Sequence, residues 1–339
     1  MEYRVLGRTG VRVSKLTLGA MMFGKWGADR AEAGRIMDTA LDAGINMIDT
    51  ADVYSGGESE TIVGKLLAGR RDSVVLATKF HNRMGPDVNE AGNSARWIVR
   101  ACEQSLKRLG TDYIDLYQVH RPDPTCALDE TLTALGRLID QGKVRYAGTS
   151  TFPASELVEA RWLAEKGGPM AKIVSEQPPY SMLSRGIEAD VLPTCQRYGI
   201  GVIVWSPLSG GWLSGRWRAG QPLPTSSRAD RVPGRYDPAL PENQLKMGAV
   251  EQLALLAEEV GISLIHLALG FVLAHPAVTS AIIGPRTLDH LMPQLDAADV
   301  ALSSEVLDRI DAIVTPGTNF SWADVWAPPS IADPTLRRR

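Results

Sequence analysis

The 339-residue sequence contains only three cysteines, and none of them has metal-binding or redox spacing. An odd, scattered set is typical of a reducing compartment, so we interpret Cys102, Cys126 and Cys195 as inert thiols. The five histidines also lack the H-E-x-x-H spacing, or any similar one, of a zinc site. The sequence therefore gives no support for a bound metal.

The chain also lacks an excess of charge and a long apolar run. Its formal net charge of -3 provides no electrostatic attraction for nucleic acid or for an anionic membrane surface. No apolar segment approaches the ~20 residues that a membrane-spanning helix needs. The first residues, MEYRVLGRTG, lack the cationic start and apolar core of a secretory signal. These absences predict a cytoplasmic protein with no nucleic-acid or membrane partner.

Short apolar runs alternate with amphipathic helical patterns along the rest of the sequence. Before this alternation, two short runs at 3–5 and 11–13 flank a Gly-Arg-Thr-Gly turn, which predicts an N-terminal β-hairpin. From Leu16 onward there are eight strand-then-helix units. The predicted strands are 16–18, 46–48, 74–77, 114–119, 144–148, 173–175, 201–204 and 279–283.

Polar residues, glycine and proline predict where several helices begin and end. Asp29 is predicted to cap a helix that runs to about Ala43, with Gly44 in the left-handed turn that ends it. Ser59 is predicted to cap the next helix, and Pro153 to begin a later one. Helices are also predicted at 94–109, 128–139, 187–198, 243–260 and 263–274.

Alternating units predict a parallel sheet covered by helices, and two architectures compete. A doubly wound sheet that binds a dinucleotide would carry G-x-G-x-x-G after an early strand, and this sequence has none there. We therefore predict a (β/α)8 TIM barrel over about 16–300, within a single domain of 1–339. A long Gly- and Pro-rich loop at 209–241, after strand 7, and a C-terminal helix and tail at 301–339 complete the chain.

In a TIM barrel, the C-terminal strand ends and the loops after them converge on one face. Asp49 with Tyr54, Lys79 and His120 occupy these positions on the second, third and fourth predicted strands, which are neighbours. Four different ionisable or phenolic side chains on three adjacent strands predict a reaction site. The later strand ends carry Ser150, Gln177, Trp205, Ser206, Gly284 and Arg286.

The segments IDTADVY, ATKF and YQVHRPD, which contain Asp49, Tyr54, Lys79 and His120, resemble the catalytic tetrad of the aldo-keto reductases. The similarity extends along nearly the whole chain, from LGRTGVRVS to IIGPRTLDHL, and includes GTSTF and WSPLSGGWLSG. It implies a TIM-barrel enzyme that reduces aldehydes or ketones to alcohols with a nicotinamide cofactor, usually NADPH. The segment after about Pro316 resembles the family least.

The chemistry of these residues agrees with the resemblance. Carbonyl reduction requires a hydride on carbon and a proton on oxygen, but a free tyrosine, with a pKa of about 10, transfers protons poorly at neutral pH. A lysine ammonium beside Tyr54 would favour the phenolate, and Lys79, held charged by Asp49, is the candidate. His120 could polarise the substrate oxygen. We therefore expect Tyr54 to be the proton donor, and the resemblance implies an NADP-dependent oxidoreductase acting on CH–OH donors.

The resemblance also implies that NADPH lies extended across the barrel mouth. Ser150 and Gln177 would bind the carboxamide, Trp205 would stack on the nicotinamide ring, and Arg286 would pair with the 2′-phosphate. Thr151, His290 and Gln294 depart from the residues that are usual in the family. The full set of expected cofactor contacts is Gly19, Met21, Asp49, Ser150, Thr151, Gln177, Trp205, Ser206, Leu208, Gly210, Gly284, Arg286, His290 and Gln294.

Aromatic residues near the same face predict an apolar substrate pocket. We expect Trp26, Tyr54, Phe80 and His120 to contact the substrate, because aromatic walls with few polar groups suit nonpolar carbonyl compounds. The expected partner is thus a small carbonyl compound, and homo-oligomer formation is left open. Further candidates for the pocket walls are Trp212, Trp217, Trp322 and Trp326.

Two rival interpretations belong to other classes of protein. Residues 19–25 read G-x-x-x-x-G-K, but Trp26 replaces the Ser or Thr that a phosphate-binding P-loop requires, and Asp29 predicts a helix that starts too late. Nucleotide hydrolysis is therefore disfavoured. The second rival is an NADPH-binding, redox-sensing subunit similar to the potassium-channel β-subunits, which share this barrel and tetrad.

Overall fold

A computed structural model of the protein describes residues 1–224, 232–325, 327–328, 331 and 333–336. The strands are β1 (Tyr3–Val5), β2 (Arg12–Ser14), β3 (Leu16–Gly19), β4 (Met47–Asp49), β5 (Val75–Phe80), β6 (Ile114–Val119), β7 (Val144–Ser150), β8 (Ile173–Gln177), β9 (Gly201–Val204) and β10 (Val278–Ile283). The helices are α1 (Arg30–Asp42), α2 (Glu58–Leu67), α3 (Ala95–Leu109), α4 (Leu128–Asp140), α5 (Ala154–Glu165), α6 (Val191–Tyr198), α7 (Pro241–Glu259), α8 (Leu264–Ala274), α9 (Leu288–Asp296) and α10 (Ser304–Ile313).

Strands β3 to β10 form a closed parallel barrel in chain order. Each strand pairs with the next, and β10 returns to pair with β3. The prediction of a (β/α)8 TIM barrel is therefore confirmed. Strands β1 and β2 form the predicted antiparallel hairpin outside the barrel order.

The predicted helix caps are right at one position and wrong at another. The Asp29 side chain accepts a hydrogen bond from the Glu32 amide at 2.9 Å, as an N-cap should. Ser59 does not cap α2, because the helix begins one residue earlier, at Glu58. The Ser59 hydroxyl instead donates to the Ala20 carbonyl at 2.7 Å, which ties this connection to the loop after β3.

Two predicted segments are divided in the structure. The helix predicted over 187–198 becomes a 3-10 turn at Gly186–Glu188 and the shorter α6, because Asp190 between them has a non-helical φ of −144°. The loop predicted over 209–241 contains 3-10 turns at Ser209–Gly211 and Pro233–Arg235, and α7 begins at its end. Residues 225–231 of this loop lie outside the described part of the chain.

One face of each strand points into the barrel, and the N-terminal end of this interior is filled with apolar side chains. Asp49 on β4 contacts Gln177 on the opposite strand β8, so both side chains point into the barrel. Because side chains alternate along a strand, every second residue counted from Asp49 or Gln177 also points inward. Two residues that flank the hairpin turn, Leu6 and Val13, pack against the lowest interior layer. The hairpin therefore closes this end of the barrel. That layer contains Met47, Ala77, Leu116 and Ile203.

The described residues include no single membrane-spanning helix and no candidate metal site, and two of their cysteines are buried. No single helix there is long and apolar enough to cross a membrane; α7 and α8 would meet that test only as a pair bent by 96°. Those residues also contain no group of three or more His, Cys, Asp or Glu side chains that could hold a metal ion. Cys102 and Cys195 are buried free thiols, and burial raises the pKa of Cys102 to about 12.

A buried ion-pair network attaches the C-terminal tail to the loop before α7. The Asp324 carboxylate lies 2.7 Å from Arg235 Nε and 2.5 Å from Lys246 Nζ, and Asp324 is 1% exposed. The Lys246 ammonium also lies 4.9 Å from the centre of the Trp212 ring. The tail is thus fixed to the barrel by charge as well as by packing.

We expect Asp324→Ala to destabilise the protein by about 3–5 kcal/mol, because it leaves the buried Lys246 ammonium without its anion. Urea denaturation followed by far-UV circular dichroism measures the change. Glu165→Ala, which removes the exposed partner of Arg161 on α5, is the matched control and should have little effect. Equal unfolding midpoints for the two variants would contradict the role of Asp324.

Candidate active site

A buried lysine–aspartate ion pair lies at the C-terminal end of the barrel interior. Lys79 Nζ, on β5, is 2.5 Å from Asp49 Oδ1 at the end of β4. The ammonium also donates to the Thr50 carbonyl at 2.9 Å and lies 3.4 Å from the Tyr54 phenol oxygen. Lys79 is 0% exposed, so its contacts to protein groups replace those to water. The structure thus brings three of the four predicted catalytic side chains together.

The protonation of Lys79 is decided by two opposed effects. Burial disfavours its charge, but the Asp49 carboxylate and the Tyr54 oxygen outweigh burial and raise the Lys79 pKa. Lys79 is therefore an ammonium at neutral pH. This cation, directly beneath the phenol, is the chemical feature that distinguishes the site from an ordinary polar strand end.

Two glutamines hold the second oxygen of Asp49 from across the barrel. Gln177 Nε2 donates to Asp49 Oδ2 at 2.8 Å, and Gln118 Nε2 donates to the same oxygen at 3.2 Å. These bonds fix the carboxylate so that its other oxygen faces Lys79. Gln118 was not among the residues predicted from the sequence, although its spacing of two from His120 indicates the same strand face.

His120 is the fourth predicted catalytic residue, and its ring meets that of Tyr54 edge-on at a centroid distance of 5.8 Å. Burial, together with the nearby charges of Lys79 and Arg121, holds the His120 pKa well below its usual value. The imidazole is therefore neutral at physiological pH. A neutral imidazole carries one N–H, so it can donate a single hydrogen bond.

The phenol of Tyr54 is placed by a tight turn after β4. Ser55 adopts a left-handed φ of 52°, and its hydroxyl donates to the Phe23 carbonyl at 3.1 Å. Trp26, in the loop that follows β3, lies over the phenol at a centroid distance of 6.3 Å. The Tyr54 side chain is only half-buried, so it can meet a ligand.

A cavity of about 590 Å³ opens at this end of the barrel. Tyr54 and His120 line it, while Lys79 lies directly beneath and bonds to the same phenol. Most of the expected cofactor and substrate residues share this one cavity. Those that line it are Gly19, Met21, Trp26, Asp49, Tyr54, His120, Ser150, Gln177, Trp205, Ser206, Leu208, Gly210, Gly284, Arg286, His290 and Gln294.

Two expected contact residues do not line this cavity. Phe80 is fully buried, and its ring packs against Tyr117 at 4.8 Å. Phe80 thus lies outside the cavity lining, because Lys79 faces the interior and the next residue on a strand faces the helices; its role in substrate binding stays a prediction. Thr151 lines a second cavity of about 960 Å³ beside the tail.

Three of the other candidate tryptophans, Trp212, Trp217 and Trp322, do not line this cavity either. Trp212 and Trp217 are buried and stack on each other at 4.2 Å, so they form part of the core. Trp322 is 50% exposed and lines the second cavity. Trp326 lies outside the described residues.

The loop after β9 presents its backbone to the cavity in an unusual conformation. Ser206 and Ser209 have left-handed φ angles of 57° and 47°, which residues other than glycine rarely adopt. Tyr236 Oη donates to the Gly210 carbonyl at 2.9 Å. A Cβ on Gly210 would lie only 2.7 Å from this Tyr236 Oη atom. The position therefore requires glycine, as expected where a backbone approaches a ligand closely.

Four arginines line the cavity, and only Arg286 was predicted from the sequence. Arg121 donates to the His120 carbonyl at 2.8 Å and lies over the Trp205 ring at 5.9 Å. Arg216 and Arg235 come from the irregular loop, whose sequence has no periodicity to place them. Because Arg235 is ion-paired with Asp324, the cations that could meet an anion are Arg121, Arg216 and Arg286, and their planar groups suit phosphate.

A buried acid supports the segment that carries Ser150. Thr149 Oγ1 donates to Glu176 Oε2 at 2.5 Å, and the Phe152 amide donates to Oε1 at 3.1 Å. Burial raises the pKa of Glu176 to about 8. The carboxyl is therefore largely protonated at neutral pH, and it fixes the turn between β7 and α5.

A family model described as "Aldo/keto reductase family" matches residues 15–315, which is most of the chain. The chain belongs to the aldo/keto reductase family. As a member of that family it is an oxidoreductase, and the resemblance described from the sequence is confirmed. Nicotinamide cofactors are generally bound by aldo/keto reductases.

Curated relatives of this aldo/keto reductase fall under two kinds of name. "Uncharacterized oxidoreductase YrpG" of Bacillus subtilis is 40% identical over 340 residues, which cover 96% of this chain and 100% of the relative. "Probable voltage-gated potassium channel subunit beta" of Oryza sativa is 38% identical over 324 residues, 93% of this chain and 97% of the relative. A "putative" protein of the same kind from Schizosaccharomyces pombe is 36% identical over 324 residues, 93% of each.

We expect Glu176→Gln to change how stability depends on pH. The pKa of Glu176 is about 8 in the folded protein against 4.5 for an ordinary glutamate, so between these values the folded state holds the extra proton. Wild-type stability is therefore lost as pH rises from about 4.5 through 8, and the glutamine variant should lose less.

Urea denaturation at pH 4.5 and pH 8 measures this difference. The unfolding midpoint of Glu176→Gln should match or fall below that of wild type at pH 4.5 and exceed it at pH 8. A constant difference between the two proteins at both pH values would contradict a raised pKa at Glu176.

Proposed function

We propose that this aldo/keto reductase reduces aldehydes or ketones to alcohols with NADPH, and that Tyr54 is the proton donor. The observation that carries the proposal is the Lys79 ammonium, 3.4 Å from the Tyr54 phenol oxygen beneath a cavity. A cation at that distance stabilises the negative charge that the phenol acquires when its proton leaves. The reaction class is therefore oxidation and reduction at a CH–OH centre.

Asp49 and His120 have separate parts in this proposal. Asp49 accepts from Lys79 at 2.5 Å and thereby keeps the ammonium charged and oriented towards the phenol. His120, neutral and at the edge of the Tyr54 ring, can donate its N–H to the carbonyl oxygen. General acid catalysis of this kind contributes on the order of 10²–10⁴-fold to the rate.

The residues that line the cavity fit a nicotinamide dinucleotide. When bound, such a cofactor supplies the hydride that reduces the carbonyl carbon. Ser150 and Gln177 would hold its carboxamide, and Trp205 would face its ring. Its phosphates would meet the cavity arginines, among them Arg286 beside Gly284. We infer NADPH rather than NADH from this cluster of cations.

The substrate would be a small carbonyl compound that enters past Trp26. The Trp26 ring, 6.3 Å from that of Tyr54, forms an apolar wall above the phenol. Nonpolar aldehydes and ketones bury most surface against such a wall. The assembly of the protein into homo-oligomers stays a prediction.

The Tyr54→Phe variant should lose carbonyl reduction. Phenylalanine has no exchangeable proton, so kcat with a reactive aldehyde should fall by roughly 10²–10⁴-fold. The decrease in NADPH absorbance at saturating aldehyde measures this change. Tyr198→Phe, which removes a phenol at the end of α6, is the matched control. Near-wild-type turnover by Tyr54→Phe would end the assignment.

The Arg286→Ala variant should bind NADPH more weakly and NADH almost as before. A charged hydrogen bond contributes about 1.5–3 kcal/mol, which corresponds to roughly 10- to 100-fold in Kd. Fluorescence titration with both cofactors gives the two ratios, and NADH, which lacks the 2′-phosphate, is the internal control. An equal loss for both cofactors would count against a phosphate contact at Arg286.

A second candidate function is supported by the relatives named as potassium-channel β-subunits, which are 35–38% identical to this chain. In that role the protein would bind NADPH and regulate a partner, with little turnover. Steady NADPH oxidation with simple aldehydes supports the enzyme. Tight NADPH binding with a single, stoichiometric oxidation would favour the regulatory subunit instead.

A further inference from the structure

The loop after β5 turns sharply at its first residue and returns towards the active site. His81 has a φ of 135°, in a region that residues other than glycine avoid, and holding such a conformation costs on the order of 1–3 kcal/mol. The turn brings the next residue, Asn82, over the end of β6. There the Asn82 side-chain amide nitrogen lies 3.0 Å from His120 Nδ1.

A second asparagine holds this strained turn in place. His81 Nδ1 lies 2.9 Å from Asn93 Oδ1, while Asn93 Nδ2 donates to the Arg121 carbonyl at 3.0 Å. The Asn93 amide also donates to Asp123 Oδ2 at 3.0 Å, and Asn93 is 3% exposed. The loop after β5 is therefore bonded to His120 itself and to the two residues Arg121 and Asp123 that follow it.

The neutral His120 ring has one N–H, and its position decides what the residue can do. If Nδ1 carried the hydrogen, it would face the Asn82 amide group as a second donor, and Nε2 would be an acceptor. A carbonyl oxygen is itself an acceptor, so that tautomer could not polarise it. With Nδ1 accepting from Asn82, the hydrogen lies on Nε2, the nitrogen that remains for a ligand.

We propose that Asn82 is a positioning residue that fixes His120 in the Nε2–H tautomer, so that it donates to the substrate carbonyl. This inference rests on the proposed function for the role of His120, but the tautomer itself is a separate observable. The charged or titratable groups near His120 are Lys79, Arg121, His81 and Tyr54. The proposal assigns a function to the strain at His81, which the tetrad does not explain.

The tautomer can be read directly by ¹⁵N NMR of histidine-labelled full-length protein, with His120→Gln used to assign the resonance. The wild-type protein at pH 7.5 should show the Nε2–H pattern. In Asn82→Ala the signal should shift towards a mixture of tautomers. The kcat/KM for an aldehyde should fall by about tenfold, the order of one hydrogen bond, with the Kd of NADPH unchanged.

The Asn82→Asp variant should change the pH dependence of activity, which a simple loss of packing would not do. A carboxylate accepts from Nδ1–H, so at pH 8 the neutral ring should switch to the wrong tautomer, and kcat/KM should fall by about 100-fold. The carboxylate also raises the His120 pKa. As pH falls the imidazolium, which carries both N–H groups, should restore activity in this variant and not in Asn82→Ala.

Asn89→Ala, in the same loop but bonded only within its own turn among the described residues, is the matched control and should behave as wild type. A Nδ1–H tautomer in wild type, or an unchanged spectrum and kcat/KM in folded Asn82→Ala, would overturn the proposal. The spectra decide the tautomer even in a protein that oxidises no NADPH. Failure of this inference and failure of the proposed function are therefore distinguishable.

Discussion

The site depends on one constraint, which is that a lysine charge is held inside the barrel. An ammonium with no exposure to water is tolerated only where oxygen atoms replace its hydration, and here Asp49, the Thr50 carbonyl and the Tyr54 phenol supply them. Because these groups come from β4 and the turn after it, the cation fixes how that turn leaves the barrel. The conformation of the site thus follows from the need to surround the buried Lys79 ammonium with oxygen atoms.

The same cavity combines two electrostatic environments. Its floor is a closed set of partners in which Lys79, Asp49, Gln118 and Gln177 satisfy one another. Its rim carries Arg121, Arg216 and Arg286, whereas Arg235 is ion-paired with Asp324. The carbonyl group of the proposed substrate is neutral and would meet the charge-balanced floor. The phosphates of the proposed cofactor are anionic and would meet the arginines of the rim.

The sequence predicted the barrel and the tetrad because both follow from local regularities: strand–helix alternation, and side chains at strand ends. Phe80, an expected substrate contact, lies outside the cavity, since alternation along its own strand with Lys79 directs it away from the interior. Ser59 was misassigned because its hydroxyl serves a tertiary contact with Ala20 rather than its own helix. Arg216, Arg235 and Asn82 lie in irregular loops, whose course depends on contacts that no periodicity encodes.

The hairpin that seals the N-terminal end of the barrel makes the cavity a blind chamber. Below the polar floor, Leu6 and Val13 pack against the apolar side chains that fill the N-terminal end of the barrel, so molecules can arrive and depart only by the mouth. Two molecules that share such a chamber, one above the other, cannot exchange independently. The deeper one must arrive first and depart last, which imposes a compulsory sequence on any two-ligand cycle performed there.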